Sequence, residues 1–487
     1  MAGDLRYGIL SFGAYIPRLR LARKAIAEAN AWFNPALKAQ GKGERAICNW
    51  DEDPITMAVE AGRDALLGHA AGKLRGLRFA STSFPFLDRL NAGLVGEALS
   101  LPEEIGAQDV AGSQRAATTA LLQALQSQDN ILLLAADKRE AKAASPLEMA
   151  AGDGAAALLL GHGAPLATLL ASATRSADFV DHYRTADSEG DYGWEERWIR
   201  DAGYAQIVPP VITRCLERAG KPASAVTHFC MPATLPRLGN AMAKAAGISE
   251  TALRDNLHSV CGETGVAHPL LLLAAALEDA RPGDLVLVVG FGQGADALLF
   301  EVTPEIAQTT PRLGVKGHLA RRRAETNYAK FLAFNDVIAL ERGMRAEADK
   351  QTALSSLWRN RAALTSFMGG QCGKCGTRQF PLSRVCVNPN CGAIDSQEPH
   401  AFADKIGRIN SYTADRLTYS PDPPACYGMI QFDEGGRWMM DFTDIDAEAL
   451  SVGQPMRMMF RIKDIDQQRG FRRYFWKAAP AASTEGN

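Results

Sequence analysis

The sequence predicts an α/β fold made of two similar layered halves, followed by a zinc ribbon and a small OB-type β-barrel. Short β-rich apolar runs alternate with longer helical ones from about residue 5 to 302. A nine-residue pattern recurs in both halves, and four cysteines cluster just before a region of short alternating strands. At 487 residues the chain is too long for one ordinary core. We therefore expect one large duplicated domain joined to a smaller one.

The first half, residues 1–164, alternates predicted strands and helices. The strands are expected at residues 7–16, 78–83, 130–136 and 155–160. The helices are expected at residues 54–67, 89–99 and 115–126. Asp53 is a suitable N-cap for the first of these helices, and Pro54 suits its first position.

The second half, residues 165–305, repeats this rhythm. Helices are expected within 194–219 and at 236–246 and 266–280, with strands at 226–231, 285–290 and 295–302. Residues 152–160 and 292–300 are identical at six of nine positions, and each begins with a glycine turn that enters an apolar strand. This echo favours a duplication.

A charged connector, residues 306–365, follows the duplicated region. It is expected to contain a helix near 336–350. The basic run at 321–323 is interpreted as a solvated surface rather than a binding site.

The segment 366–398 has the cysteine spacing of a zinc ribbon. Its pattern is C-x2-C-x10-C-x4-C, with glycines beside the cysteines where tight turns must form. Four thiolates at this spacing close a tetrahedron around zinc and leave no open position for water, so the predicted metal is structural. The predicted ligands are Cys372, Cys375, Cys386 and Cys391.

Residues 399–487 are predicted to form a small barrel of about five strands and a tail. Strands are expected at 403–412, 425–432, 437–443 and 455–462, with turns at 434–436 and 452–453. Aromatic residues 474–476 beside two arginines keep single-stranded nucleic acid open as a partner. The near-neutral charge of the chain favours substrate channelling or contact with a small molecule instead.

Composition limits the classes of partner. A formal net charge of −2 and a pI near 6.5 provide no electrostatic footprint for nucleic acid or an anionic membrane. The longest apolar stretches fall well short of the roughly 18 residues that span a bilayer, and the N-terminus lacks a signal-peptide pattern. Nine cysteines without a disulfide-like framework suit a reducing compartment. We expect a cytoplasmic protein.

Residues 109–122 carry the strongest functional signal. They read as a buried strand end that turns sharply into an alanine-rich helix, with Gln114 at the turn. A helix N-terminus has unpaired backbone N–H groups and a positive dipole end, which suit a thiolate or an oxyanion. The segment resembles the nucleophile elbow of the thiolase superfamily, and of its 3-hydroxy-3-methylglutaryl-CoA synthase branch in particular, where the acylated cysteine occupies this position. Glutamine cannot form a thioester.

Three further positions of the resemblance are also altered. Thr82 stands where that branch has a general-base glutamate, and Cys230, in Phe-Cys-Met-Pro, takes the place of its catalytic histidine. Glu263, in Gly-Glu-Thr, replaces an asparagine. Scaffold matches persist at 282–284 and 290–294, so the resemblance implies the fold while the site is re-tooled or retired.

The C-terminal stretch, about 365–478, resembles the zinc-ribbon/OB proteins that accompany thiolase-like acyl-CoA enzymes, usually as separate subunits. Here the two are fused. The resemblance to the thiolase superfamily implies a CoA thioester as substrate and a homodimer through the thiolase-like domain, whose two-fold interface completes the pocket.

The resemblance and the altered residues together favour reversible C–C bond chemistry, of aldol or retro-aldol type, on a 3-hydroxyacyl-CoA without an acyl-enzyme. Glu263 and His268 are the candidates for proton transfer, and Gln114 is the amide donor to the thioester oxygen. An apolar pocket around Glu263 would raise the pKa of its carboxyl group. Decarboxylation ranks second, because the related glutamine-bearing decarboxylases retain the histidines that Cys230 displaces here.

Several alternatives stay open. His268 is equally well read as a satisfied structural histidine, and Gln114 as a space-filling substitute for an acylated cysteine. Cys230 is more readily a small buried hydrophobe than the nucleophile of a synthase-type acyltransferase. A further alternative for the whole protein is a non-catalytic paralogue that binds acyl-CoA or scaffolds an active thiolase.

Overall fold

A computed structural model describes residues 6–188, 190–310, 312–347, 349–351 and 353–481. The chain divides into two units by its internal contacts. Unit 1 comprises Met1–Asn49, Asp53–Gly96 and Leu101–Leu332. Unit 2 comprises Trp50–Glu52, Glu97–Ser100 and Ala333–Asn487.

A nine-stranded mixed sheet organises unit 1. The apolar runs of the sequence form its strands, because a sheet covered on both faces buries both sets of side chains. The order of strands across the sheet is His228–Cys230, Leu285–Phe291, Gly294–Val302, Ala167–Ser176, Arg6–Tyr15, Gly154–Gly163, Ile131–Asp137, Gly76–Ala80 and Gly106–Val110.

The two halves of this sheet repeat one pairing pattern. In the first half Gly154–Gly163 lies antiparallel between Arg6–Tyr15 and Ile131–Asp137. In the second half Gly294–Val302 lies antiparallel between Ala167–Ser176 and Leu285–Phe291. The echoed segments of the sequence therefore enter equivalent strands, and the predicted duplicated α/β fold is confirmed.

The main helices follow the predicted pattern. Asp53 caps the first of them by accepting from the Thr56 N–H, and Pro54 occupies its first position. Every residue of His268–Leu277 except Ala275 is buried, as expected for a helix in an interior layer. The main helices of unit 1 are Pro54–Leu66, Ala116–Ser127, Ala205–Ala219, Leu238–Ala245 and His268–Leu277. The helix Asn91–Ala98 begins in unit 1, and its last two residues belong to unit 2.

Shorter elements complete unit 1. A small sheet contains Arg323–Glu325, Leu19–Ala22 and Glu44–Ile47, and a two-stranded hairpin contains His182–Tyr183 and Tyr192–Gly193. A π-helical turn, Ile199–Tyr204, precedes the helix Ala205–Ala219. The other short helices are Arg23–Ala29, Pro146–Ala150, Glu196–Trp198, Gly314–Ala320 and Tyr328–Phe334, the last of which crosses the boundary of the units in sequence.

Two local predictions are wrong. The strand before the elbow, Gly106–Val110, is the outermost strand of the sheet and is only partly buried. The helix near 336–350 is replaced, in the described residues, by irregular chain with a 3-10 turn at Met344–Ala346. Asp336 and Gly343 adopt positive φ values of 53° and 67°, which an α-helix does not accommodate.

Unit 2 contains two small sheets. In the first, Met368–Cys372 pairs with Arg378–Gln379 and with Gln397–Ala401. The second has five strands, and a parallel bridge between Phe442 and Ala478 helps to close it into a barrel. Its strand order is Arg437–Asp441, Ala425–Phe432, Gly407–Asp415, Pro455–Asp466 and Phe471–Pro480. The predicted small OB-type barrel is confirmed.

Candidate active site of unit 1

Three neighbouring parallel strands bring two of the altered positions, 82 and 114, to one edge of the large sheet. Gly76–Ala80 pairs in parallel with both Gly106–Val110 and Ile131–Asp137, so their carboxyl ends meet. Thr82 follows the first strand, Gln114 follows the second, and Arg139 follows the third. Ligands of α/β proteins bind at such edges.

The Gln114 side chain lies just before the helix Ala116–Ser127. Its amide nitrogen donates to the Thr82 hydroxyl at 3.2 Å, and Arg139 donates a long hydrogen bond of 3.5 Å to its amide oxygen. The elbow is fixed by the second half of the unit, because the Ser113 hydroxyl and the Arg115 guanidinium both donate to the Gly292 carbonyl. Two of the altered positions, 82 and 114, are therefore in contact.

Arg139 joins this elbow to the Gly-Glu-Thr turn. Its guanidinium lies 2.7 Å from the Glu263 carboxylate and 3.2 Å from that of Asp191. Burial opposes its charge, but Glu263, Asp191 and Asp137 outweigh that effect and raise the pKa of Arg139. The prediction of an apolar pocket around Glu263 is wrong, because its carboxylate faces the Arg139 guanidinium.

The backbone around Glu263 is held close to the first half. Glu263 donates its N–H to Ala150 and accepts from the Gly152 N–H at 2.8 Å. Gly262 has a φ of 89°, and a Cβ there would lie 2.6 Å from the Ala151 carbonyl oxygen. Only glycine fits this approach, which explains the glycine of the turn.

Asp137, fully buried, anchors the loops on either side of the site. Its carboxylate accepts from the Thr82 N–H at 2.8 Å and from the Thr82 hydroxyl at 2.9 Å. It also accepts from the Val266 N–H at 2.8 Å. Thr82 and the turn that contains Glu263 are thereby fixed by one carboxylate.

A hairpin of the second half covers the other side of Arg139. Arg184 donates to the Asp191 carboxylate at 2.9 Å and also to the Thr82 carbonyl. Asp191 therefore bridges Arg184 and Arg139.

His268 is fully buried and both of its ring nitrogens are engaged. Nδ1 accepts from the Thr264 N–H at 3.1 Å, so Nε2 carries the proton and donates to the Asn256 carbonyl at 2.9 Å. Burial lowers the pKa of His268. These contacts describe a neutral histidine that fixes the start of its helix.

Cys230 lies in the apolar core, apart from the Gln114 contacts described above. Its thiol is fully buried and donates to the Leu272 carbonyl at 3.4 Å. Burial raises the pKa of this thiol to about 12, which leaves almost no nucleophilic thiolate near pH 7.

Sequence reasoning missed Asp137, Arg139, Arg184 and Asp191. The first two had a usable signal, since the charged run 137–140 directly follows an apolar strand whose carboxyl end reaches the site. The hairpin residues had none, because each of its strands is only two residues long.

The four cysteines of the ribbon meet in space within unit 2. Their sulfur atoms all lie within 4.8 Å of one another, with Cys375 and Cys386 at 3.5 Å and Cys372 and Cys391 at 3.9 Å. Sulfurs at ~2.3 Å from zinc have tetrahedral edges of about 3.8 Å, so the cluster fits that ion. Gly376 and Gly392, with φ of 73° and 54°, form the tight turns after their cysteines.

No helix in the described ranges combines the length and apolar character needed to cross a bilayer.

Family models match both units. Residues 216–301 match the model described as 3-oxoacyl-[acyl-carrier-protein (ACP)] synthase III C terminal. Residues 401–461 match the model described as ChsH2, C-terminal OB-fold domain.

Curated relatives cover about two thirds of the chain. It is 27% identical over 349 residues to hydroxymethylglutaryl-CoA synthase of Caldivirga maquilingensis, which covers 69% of this chain and 99% of the relative. It is 29% identical over 339 residues to the same enzyme of Archaeoglobus fulgidus, covering 67% and 97%.

Solved structures share the fold at low identity. 3-Oxoacyl-(acyl carrier protein) synthase III, FabH, of Pseudomonas aeruginosa PAO1 matches with a TM-score of 0.55 and 20% identity, covering 63% of this chain and 99% of that one. MvaS in complex with 3-hydroxy-3-methylglutaryl coenzyme A matches with a TM-score of 0.60 and 16% identity, covering 82% and 99%.

Proposed function

Because this chain is a thiolase-fold homologue of the hydroxymethylglutaryl-CoA synthases with a C-terminal ChsH2-type OB-fold domain, we propose that unit 1 makes or breaks a C–C bond in a CoA thioester without an acyl-cysteine. The reaction is of aldol or retro-aldol type on a 3-hydroxyacyl-CoA. The enzyme class is a C–C lyase.

One observation carries this proposal: a donor amide, a guanidinium and a carboxylate lie together at the elbow. Gln114 contacts Arg139, and Arg139 pairs with Glu263 at 2.7 Å. All four cysteines of unit 1 are buried, namely Cys48, Cys215, Cys230 and Cys261. Covalent acyl transfer needs an accessible thiolate, whereas aldol cleavage needs only proton transfer and an oxyanion site.

The residues divide the work of a retro-aldol cleavage as follows. The Glu263 carboxylate accepts the proton of the 3-hydroxyl group, the Cα–Cβ bond breaks, and its electron pair moves to the thioester oxygen. Gln114 and Arg139 donate hydrogen bonds to this enolate oxygen. A proton then returns to Cα, so the products are a shorter acyl-CoA and an aldehyde or ketone. The aldol direction runs the same steps backwards.

The remaining parts of the chain are assigned structural or binding roles. The ribbon holds zinc through Cys372, Cys375, Cys386 and Cys391, and its closed donor set leaves the ion no catalytic position. The barrel contacts the CoA thioester or channels substrate. Unit 1 forms a homodimer, as is usual in the fold it shares with its relatives.

A second candidate is a non-catalytic paralogue that binds acyl-CoA or scaffolds an active thiolase. Two candidate catalytic residues favour it, because neither is available to a substrate. Cys230 is buried in the core, and both ring nitrogens of His268 bond to backbone. The same buried Cys230 argues against an acyltransferase that uses this thiol, and the absence of the expected histidine argues against decarboxylation.

Incubation of the purified full chain with a panel of 3-hydroxyacyl-CoAs tests the proposal, with products followed by mass spectrometry. We expect release of a shorter acyl-CoA with an aldehyde or ketone, and no acyl adduct on the intact protein. Glu263→Gln should lower the rate by about 100-fold or more, while Glu217→Gln, on an exposed helix face, should leave it unchanged. Binding of acyl-CoA without turnover would identify the non-catalytic paralogue.

A further inference from the structure

Asp181 and His182 form a hydrogen-bonded pair at the start of the hairpin. His182 Nδ1 lies 2.9 Å from the Asp181 carboxylate, which also accepts from the Gln293 amide at 3.4 Å. The Trp194 N–H donates to the Asp181 carbonyl, and His182 pairs with Gly193 across the hairpin. The imidazole is therefore held by both backbone pairing and a carboxylate.

This pair lies near the cluster around Arg139. Asp191, directly before the second strand of the same hairpin, bonds to Arg139. The charges of Asp191 and Arg139 both act on His182. The Tyr204 hydroxyl, from the π-helical turn, is close enough to Asp181 and Glu263 for burial and these two charges to raise its pKa. Burial opposes protonation of His182, but the hydrogen bond and charge of Asp181 prevail and raise the pKa of the imidazole.

The second ring nitrogen of His182, Nε2, is available to a substrate or to solvent. Nδ1 faces a carboxylate, whereas Nε2 has no hydrogen-bond partner among the residues that the structure describes, and 21% of the side chain is exposed. A carboxylate on Nδ1 fixes the tautomer that lets Nε2 exchange protons. His268, in contrast, is fully buried with both nitrogens engaged.

We propose that His182, held by Asp181, is the proton-transfer group that serves the α-carbon of the acyl-CoA. This inference rests on the proposed function and assigns its second proton step. Nε2–H of the imidazolium donates its proton to Cα of the enolate as the carbonyl product leaves. Neutral Nε2 removes that proton in the aldol direction. Glu263 handles the hydroxyl proton, and both groups exchange protons with solvent between turnovers, so the reaction needs no other reactant.

Two assays separate this inference from the proposed function. The first follows C–C cleavage of 3-hydroxy-3-methylbutanoyl-CoA to acetone and acetyl-CoA. The second follows deuterium uptake from D2O at the α-carbon of acetyl-CoA, which needs proton transfer but no C–C cleavage. Wild type is compared with His182→Gln, Asp181→Asn and Glu263→Gln. The matched control is His228→Gln, which removes another histidine paired with a carboxylate, Asp284 at 3.0 Å.

We expect His182→Gln to lower both rates by about 100-fold or more, and Asp181→Asn to lower them less. Glu263→Gln should lower cleavage far more than exchange, and His228→Gln should change neither. In wild type, exchange should rise with pH as His182 loses its proton, and His182→Gln should abolish this limb. A merely structural role of His182 would not move the pH profile.

The outcomes are distinct. Exchange that depends on His182 without any cleavage supports the inference and overturns the retro-aldol reaction. Cleavage and exchange that persist in His182→Gln overturn the inference and leave the proposed function standing. Absence of both reactions in wild type overturns both.

Discussion

The Arg139 guanidinium lies 2.7 Å from the Glu263 carboxylate, and the two side chains are 6% and 9% exposed. This pair connects the end of a first-half strand to a turn of the second half. Arg139 also contacts Asp191 and Gln114. Its charge is therefore shared among the residues that define the candidate site.

Removal of Arg139 should destabilise unit 1 more than removal of Glu263. Arg139→Gln leaves two buried carboxylates, those of Glu263 and Asp191, without their partner, and such a loss costs about 3–5 kcal/mol. The double variant Arg139→Gln/Glu263→Gln should recover part of this loss. Urea denaturation of the four proteins gives the coupling energy by a double-mutant cycle. Strictly additive effects would show that the pair contributes no interaction of its own.

Acid should destabilise the protein through His258. Its buried Nδ1 has no hydrogen-bond partner within the described part of the chain. Burial, with help from Arg23 and His268, lowers the pKa of His258 to about 4. A histidine whose folded pKa lies below its unfolded value near 6.5 binds more protons when unfolded, so it lowers stability as pH falls from about 6.5 to 4. Because the ring is partly exposed, we expect the free energy of unfolding to fall by roughly 2 kcal/mol at most between pH 6.5 and 4.

The measurement is the urea midpoint between pH 7 and 4. His258→Gln should flatten this dependence, while His162→Gln, at an exposed position, should keep it. Equal slopes for wild type and His258→Gln would assign the acid sensitivity to other groups.

The strand ends could be predicted from the sequence, and the hairpin could not. Apolar runs placed Gln114 and the charged residues 137–140 after predicted strands, and Thr82 near the end of another. The structure adds that these strands are parallel, so their carboxyl ends meet. The two-residue strands at 182–183 and 192–193 have no periodicity to detect, so Asp191 and His182 were missed. Asp191 is held by an ion pair with Arg139, which is 52 residues away in sequence.

The predicted helix at 336–350 fails for a related reason. Its residues have helical composition, but the described ones are mostly exposed, and helices in proteins depend on packing an apolar face. The residues that surround Glu263 also could not be predicted from the sequence. We expected an apolar pocket around Glu263 because it would raise the pKa of this carboxyl group, whereas the guanidinium that faces it comes from residue 139.

Zinc should be present at one ion per chain and should depend on the four ribbon cysteines. Cys386→Ser should abolish metal binding, measured by inductively coupled plasma mass spectrometry, because three thiolates no longer close the tetrahedron. Cys426→Ser, at a buried cysteine of the barrel outside the cluster, should retain the metal. Full zinc content in Cys386→Ser would remove this residue from the ligand set.

Gln114→Cys should create a thiol of low pKa at the elbow. The helix Ala116–Ser127 directs its N-terminal dipole to this position, and Arg139 lies at 3.5 Å from the present side chain. Both effects favour a thiolate over the ordinary thiol with a pKa near 8.5.

Iodoacetamide at pH 7 should therefore label residue 114 of this variant roughly 10-fold faster than residue 213 of Thr213→Cys, an exposed position in the helix Ala205–Ala219. Cys230 should stay unlabelled in the native protein, because its thiol is buried and its pKa is about 12. A residue 114 thiol that reacts no faster than the control would mean that the elbow does not stabilise an anion, and the oxyanion role proposed for this edge of the sheet would fall with it.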